Sequence, residues 1–311
     1  MQNPLPRHFI IERHLAEAAK IGTPLVALES AVITHGLPRP ENLNLAREME
    51  AAVRAAGAAP ATIALLEGQV HIGLSEAELA RLADLDGTRK ISLRDFGIAL
   101  AQGLSGGTTV AATLFAAAQA GMRVFATGGI GGVHRGAPFD VSADLPQLGK
   151  SPVLVACAGA KAILDLAAPR EVLETQGVPV IGYRTDAFPA FYTRDSGLGV
   201  DFRVETPEQA AELALAHWAA GLTSAVLLVI PPPAEAALDE GKMESAILAA
   251  LADAEAAGVH GAQATPFLLA RVSALTGGES LRANLALLRN NAQVAAQVAV
   301  AIGARQKPNP I

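Results

Sequence analysis

The chain has 311 residues, 51% of them hydrophobic, and a formal net charge of −6, so it is long enough for a large buried core. Its acidic balance and 4% aromatic content exclude a surface built to neutralise a phosphate backbone or to stack bases. The single cysteine, Cys157, excludes an internal disulfide and a multi-cysteine zinc site.

The first residues show no charged-then-apolar leader, and polar residues break every apolar stretch before it reaches membrane-spanning length. A soluble, cytoplasmic protein with no nucleic-acid and no membrane partner is expected. Short apolar runs then alternate with helical patterns. The first run, Leu25 to Leu28, reads as a strand and passes at once into Glu29-Ser30-Ala31-Val32-Ile33-Thr34-His35-Gly36. Ligands of parallel α/β sheets gather at the carboxyl ends of strands. Glu29 therefore stands where a general acid or base is useful, near apolar walls that raise a carboxyl pKa. A salt-bridged carboxylate at a strand end is the plain alternative.

A helix over Asn42 to Ala56, a strand over Ala61 to Leu66 and a helix over Ser75 to Ala83 follow. Gly103-Leu104-Ser105-Gly106-Gly107-Thr108-Thr109-Val110 runs into a helix over Thr109 to Ala120. Its glycines and helix start suit an anion, while a threonine N-cap explains much of the same pattern. Without a Gly-Lys-Ser/Thr ending it is no P-loop.

A strand over Arg123 to Ala126 opens the loop Thr127-Gly128-Gly129-Ile130-Gly131-Gly132-Val133-His134-Arg135-Gly136. The dinucleotide fingerprint fails there, because the third required glycine falls on His134. Backbone contact with a phosphate or sugar, with His134 and Arg135 as donors, competes with a flexible surface loop. In Phe139-Asp140-Val141-Ser142-Ala143-Asp144-Leu145 the carboxylates lie four apart. On a helix they share a face, and in a loop they could converge on a hard cation such as magnesium or manganese. Helix capping by Asp140 or Ser142 is the alternative.

A strand over Pro152 to Ala156 leads to Cys157-Ala158-Gly159-Ala160-Lys161. A lysine among small and apolar residues either snorkels from a helix to water or has its charged form disfavoured by burial, leaving an amine able to attack a carbonyl. Strands over Val178 to Ile181 and Ser224 to Val229 flank a helix over Pro207 to Ala219. From Glu235 the pattern is helical: Glu235 to Ala257, Pro266 to Leu275 and Ser280 to Ile302, with Asn284, Asn290 and Asn291 among apolar neighbours. The expected fold is a three-layer α/β/α arrangement with a mainly parallel central sheet and a helical C-terminal region. No linker divides the chain, Pro231-Pro232-Pro233 being the best break, so residues 1–311 read as one domain.

Taken in order, Ala-Leu-Glu-Ser-x-Val-Ile-Thr-His-Gly-Leu-Pro from Ala27, Gly-Thr-Thr-Val-Ala-Ala-Thr from Gly107, Ala-Thr-Gly-Gly-Ile-Gly-Gly-Val-His-Arg from Ala126, Asp-x-Ser-Ala-Asp-Leu from Asp140 and Cys-Ala-Gly-Ala-Lys from Cys157 closely resemble the pseudouridine-5'-phosphate glycosidase family, which includes proteins named for indigoidine synthesis. Further matches at Glu174 to Val180, Phe188 to Tyr192, Thr265 to Leu269 and Asn290 to Ala292 extend the resemblance over nearly the whole chain.

The resemblance implies reversible cleavage of the C–C bond of pseudouridine 5'-phosphate to uracil and ribose 5-phosphate, one divalent ion per subunit, typically Mn2+, and a homotrimer. It implies that Lys161 attacks ribose C1', that Glu29 donates the proton and that Asp140 binds the metal. Lys90, Val110, Ser142, Ala143 and Asp144 match substrate-contacting positions, and Thr127, His134 and Asn284 match further positions lining the site. With Lys90 and His134, the loop holding Thr108 and Thr109 would take the 5'-phosphate. The chain departs from the family pattern at Ile230 to Glu235, where a segment like Asn-Pro-Ile-Pro-Glu-Glu is expected, so no asparagine contact carries over from that loop. Two other readings use the same residues: an aldolase-like Schiff-base lyase on another sugar phosphate, and a non-enzymatic sugar-phosphate-binding regulator.

Overall fold

The alternation of apolar side chains along the central strands decides the architecture. Val26 and Leu28, Val124 and Ala126, Leu154 and Ala156, and Val226 and Leu228 all join one buried cluster with helices Glu41–Ala55, Pro207–Ala219, Glu240–Ala256 and Glu279–Gln306. The intervening Ala27, Phe125, Val155, Cys157, Leu227 and Val229 join a second cluster with helices Leu93–Ala101, Val110–Gln119, Asp144–Leu148 and Ala167–Thr175. A strand that buries both faces needs a helical layer on each side. The computed structural model, which describes residues 5–135, 137–259, 261 and 264–306, shows that three-layer α/β/α arrangement.

The sheet runs in the order Phe9–Ile11, Gln69–Ile72, Ala59–Leu66, Leu25–Leu28, Val124–Ala126, Leu154–Cys157, Val226–Val229, Val180–Tyr183 and Phe202–Val204. From Ala59–Leu66 to Phe202–Val204 every neighbouring pair is parallel. Antiparallel pairing enters only beside Ala59–Leu66, which also meets Gln69–Ile72 and the short strand Gly106–Thr108. Gly106–Thr108 pairs on its other side with Arg89–Ile91, giving that edge an extra layer of backbone.

Polar residues at the expected places start the helices. Ser75 forms a reciprocal capping box with Glu78, and Thr206 accepts from the Gln209 amide just ahead of Pro207. The 28-residue helix Glu279–Gln306 packs on helices Glu41–Ala55 and Pro207–Ala219 and reaches the strands Val124–Ala126 and Leu154–Cys157. The C-terminal helical region thus covers the same sheet as the rest of the chain.

One register detail places the site. Leu28 pairs with Ala126, and Ala126 with Ala156, so three adjacent parallel strands end level with one another. The residues after them, Glu29, Thr127 and the segment from Ala158 to Lys161, leave the same edge of the sheet side by side.

Candidate active site

A cleft of about 560 Å3 opens at that edge. Of the residues singled out from sequence, Glu29, Lys90, Thr109, Val110, His134, Asp140, Ser142, Ala143, Asp144, Lys161 and Asn284 line it. Thr108 and Thr127 do not; both are fully buried behind its wall.

Glu29 is 8% exposed and accepts a hydrogen bond from the Thr127 hydroxyl, a contact that the paired ends Leu28 and Ala126 make inevitable. Burial drives the Glu29 carboxyl above the ordinary carboxylate range, and the Asp144 carboxylate pushes in the same direction. The Lys161 ammonium, the Thr127 hydroxyl and the Lys90 ammonium pull it down without cancelling the rise. Asn291, fully buried on the long C-terminal helix, donates to the Thr127 carbonyl at 2.9 Å and fixes the wall from behind.

Lys161 is not on a helix. Its amide donates to the Ile130 carbonyl at 3.1 Å, Ala160 forms a parallel bridge with Ile130, and the next helix begins only at Ala167. The side chain is half-buried in the cleft, reaching it from an extended segment. Lys90 enters from the opposite wall, on Arg89–Ile91. Burial lowers its pKa, the Lys161 ammonium lowers it further, and Glu29 and Asp144 oppose the shift.

The glycine loop Thr127 to Gly132 is buried, which rules out a flexible surface loop for this part. A Cβ on Gly131 would lie 2.2 Å from Ser142 Oγ and 2.8 Å from Asp144 Oδ2, so close packing demands the glycine. A Cβ on Gly129 would meet the Phe191 ring at 2.7 Å. Phe191 lines the cleft with its backbone in the left-handed region, at φ 62°, a costly conformation for a side chain of this size.

Three expectations need correction. Asp140 and Asp144 neither share a helix face nor converge on a cation. Asp140 lies within the strand Ala137–Val141 and pairs with His134 Nδ1 at 2.5 Å, whereas the Asp144 carboxylate accepts from the amides of Ala111 and Gly131, each at 2.8 Å. Gly106, Gly107 and Thr108 form a strand paired on both sides, so they make no anion-cradling loop. At the helix start that follows, Asp144 takes the Ala111 amide and the Thr109 hydroxyl accepts from Ala112, so two of the leading amides are already bonded. Thr108 itself bonds the Ile63 carbonyl and the Thr113 hydroxyl. Finally, Arg135 turns its guanidinium away from the cleft, toward backbone carbonyls and Glu244.

Sequence reasoning passed over His35, Arg89, Arg94 and Phe191, all of which line the cleft. His35 sits in a π-helical turn, Val32–Gly36, with Nδ1 2.6 Å from the Thr34 hydroxyl; burial and the Lys90 ammonium lower its pKa. Arg89 holds Asp95 through Nε and Nη2 at 2.9 and 2.7 Å. The run of cations from Arg89 to Arg94 was the available signal. By contrast, Asn284 was singled out: it is 6% exposed, and its carboxamide oxygen has no protein partner among the described residues. The Pro231 to Pro233 run adds nothing to the cleft.

Among the described residues no group of three or more His, Cys, Asp or Glu side chains could hold a metal. The exposed carboxylate of the cleft is Asp140, its side chain 51% exposed and paired with His134 alone among the described residues. Such a donor set fits a hard cation that keeps water and substrate oxygens in its shell, and does not fit an all-protein cage. No helix among the described residues is long and apolar enough to cross a membrane.

The profile of the indigoidine synthase A-like proteins matches residues 14–301. A pseudouridine-5'-phosphate glycosidase of Herpetosiphon aurantiacus is 58% identical over 283 residues, 90% of this chain and 93% of its own. Another, of Chloroflexus aurantiacus, is 55% identical over 298 residues, 94% of this chain and 98% of its own. Among solved structures, the prealnumycin C-glycosynthase AlnA, in complex with ribulose 5-phosphate, superimposes with a TM-score of 0.89 at 40% identity, covering 97% of this chain and 99% of its own. An indigoidine synthase A-like protein of Thermotoga maritima gives 0.88 at 35% identity over the same shares.

The fold and cleft are those of an α/β/α enzyme working at the carboxyl edge of a parallel sheet. The chain belongs to the indigoidine synthase A-like family, that of the pseudouridine-5'-phosphate glycosidases. This membership sets aside the reading as a non-enzymatic regulator.

Asp144 ties two walls of the cleft together, so Asp144→Asn, which replaces one accepting oxygen by a donor, is expected to cost about 1.5–3 kcal/mol, the worth of a charge-assisted hydrogen bond. The urea midpoint measures it, and an unchanged midpoint refutes the anchoring role.

Proposed function

We propose that this chain reversibly cleaves the C–C bond joining ribose C1' to uracil C5 in pseudouridine 5'-phosphate, with Lys161 as nucleophile and Glu29 as proton donor. One observation carries the reading: a half-buried lysine shares a cleft with a buried carboxyl group whose acid form its surroundings favour. The names of the relatives and the sugar phosphate held by AlnA agree with it.

A carbon leaving group departs only if its carbon gains a proton and C1' can accept the loss of the bonding pair. The unprotonated Lys161 amine adds to C1' as the ribose ring opens, its C1'–O bond breaking and the ring oxygen taking up a proton. Glu29, held as the acid, protonates uracil C5. The C1'–C5 electron pair then leaves with uracil while the lysine nitrogen forms the C1' imine, and water releases ribose 5-phosphate from it. The Thr127 hydroxyl orients Glu29 throughout.

Lys90 is the side chain best suited to hold the 5'-phosphate, since it is half-buried and lines the cleft together with Arg94. A divalent ion would be held by Asp140 and would supply positive charge for substrate oxygens. An oxygen donor with no thiolate beside it suits manganese or magnesium rather than zinc.

Borohydride added with ribose 5-phosphate is expected to fix a sugar on Lys161, read by peptide mass. A trapped adduct without uracil release from pseudouridine 5'-phosphate points instead to a lyase for another sugar phosphate. Since the acid form of Glu29 is the working form and its pKa is raised, turnover is expected to fall as pH rises through that pKa. Glu29→Gln is expected to lose roughly 100- to 10,000-fold in kcat, together with that limb of the pH profile; near-normal turnover removes Glu29 from the role. Calorimetric titration with Mn2+ in the presence of ribose 5-phosphate is expected to show binding that Asp140→Ala abolishes, and binding retained by the variant overturns the assignment.

A further inference from the structure

Arg135 makes contacts that neither substrate binding nor ordinary surface pairing accounts for. It follows the strand Val133–His134, and its guanidinium makes four hydrogen bonds of two kinds. Nε donates to the Leu164 carbonyl and Nη2 to the Ala162 carbonyl, each at 3.1 Å. Nη1 and Nη2 also grip the two carboxylate oxygens of Glu244 at 2.6 and 3.1 Å, a bidentate fork onto the helix Glu240–Ala256.

The two carbonyls belong to the turn that begins at Lys161. The Lys161 amide donates to the Ile130 carbonyl at one end, and the Asp165 amide donates to the Val133 carbonyl at the other, at 3.1 and 2.9 Å. Between these backbone ties the turn closes on itself through Leu164 to Lys161, at 3.0 Å, and no other side chain among the described residues donates to the Ala162 or Leu164 carbonyl. The side chains of Ala162, Ile163 and Leu164 pack in the core, and the carbonyls of Ala162 and Leu164 depend on one guanidinium, itself fixed by one carboxylate.

We infer that the Arg135–Glu244 pair is a positioning device for Lys161, resting on the reading of Lys161 as the nucleophile: it fixes the backbone from which the amine reaches C1' without touching substrate. Energetics separate this from a stabilising role. Side-chain exposures of 26% and 47% leave the pair in contact with water, where ion pairs add little to stability. Placement of a reacting group is far less forgiving, since a displacement of about 1 Å can cost on the order of 100-fold in rate. Loss of the fork should therefore be read in the chemical step far more than in folding.

The test measures kcat, KM and the build-up of the borohydride-trapped ribose 5-phosphate adduct in the full-length enzyme and four variants. Arg135→Ala is expected to lower kcat and trapping on the order of 100-fold, and Glu244→Gln about 10-fold, with KM and thermal midpoint little changed. Arg135→Lys, which keeps the charge but cannot span both carbonyls and the carboxylate, is expected to fall between Arg135→Ala and wild type. Asp253→Asn, which breaks another ion pair on the same helix, to Arg271, should match wild type. If Arg135→Ala does not fold, Glu244→Gln carries the test, because Glu244 is half-exposed and the change keeps its shape.

A rise in KM at constant kcat in either variant would make Arg135 a substrate-binding group and overturn the inference. Unchanged kcat and trapping overturn it as well, as does a drop in thermal midpoint that accounts for the whole loss of rate. Failure to trap any adduct on wild-type Lys161 overturns the nucleophile reading itself, whatever the Arg135 variants do, so the two failures are distinguishable.

Discussion

The register of three parallel strands is the constraint from which the site follows. Because Leu28, Ala126 and Ala156 pair across Leu25–Leu28, Val124–Ala126 and Leu154–Cys157, the chain leaves the sheet at three neighbouring points on one edge. Glu29 and Thr127 are then hydrogen-bond neighbours by geometry, and the segment ending at Lys161 emerges beside them. Each strand is sandwiched between helical layers, so a slip of one residue would turn its apolar set to the wrong layer. Core packing and active-site geometry are the same requirement at this edge.

The second organising element is a carboxylate that looks like a ligand but serves the architecture. Asp144 spends its oxygens on the amides of Ala111 and Gly131, joining a helix start to the glycine loop. It thereby takes one of the amides that an anion could use at the N-terminus of Val110–Gln119. Lys90 and Arg94 line the same cleft and bring positive charge to it through their side chains.

The central strands and most helices were legible because their signals are local. Leu25–Leu28 and Pro207–Ala219 matched the expected bounds, and elsewhere the ends moved by a few residues, as with Ala59–Leu66 for the expected start at Ala61 and Glu240–Ala256 for the expected start at Glu235. Strands of three residues, Arg89–Ile91 and Gly106–Thr108, are too short to carry a period and owe their existence to each other and to Ala59–Leu66. At the site, most of the residues singled out do meet in one cleft, because motif and strand end coincide in sequence. What a side chain does there was less legible. Asp144 and Arg135 have the chemistry of ligands, and only tertiary contacts reveal that both are spent on backbone groups. Thr108 likewise belongs to a buried hydroxyl network, reaching the Ile63 carbonyl at 2.6 Å.

Phe191 sets a different kind of limit. Its ring borders the cleft in a left-handed backbone position, and the missing side chain of Gly129 is what makes room for it. The room beside this ring is consequently set by two residues 62 positions apart, and Gly129 cannot gain a side chain while Phe191 stays. A side chain at Gly129 would need room from the Phe191 ring and would still meet the Gly159 carbonyl oxygen at 3.0 Å. Glycine at this position is thus demanded twice, once by a ring that could shrink and once by backbone that could not.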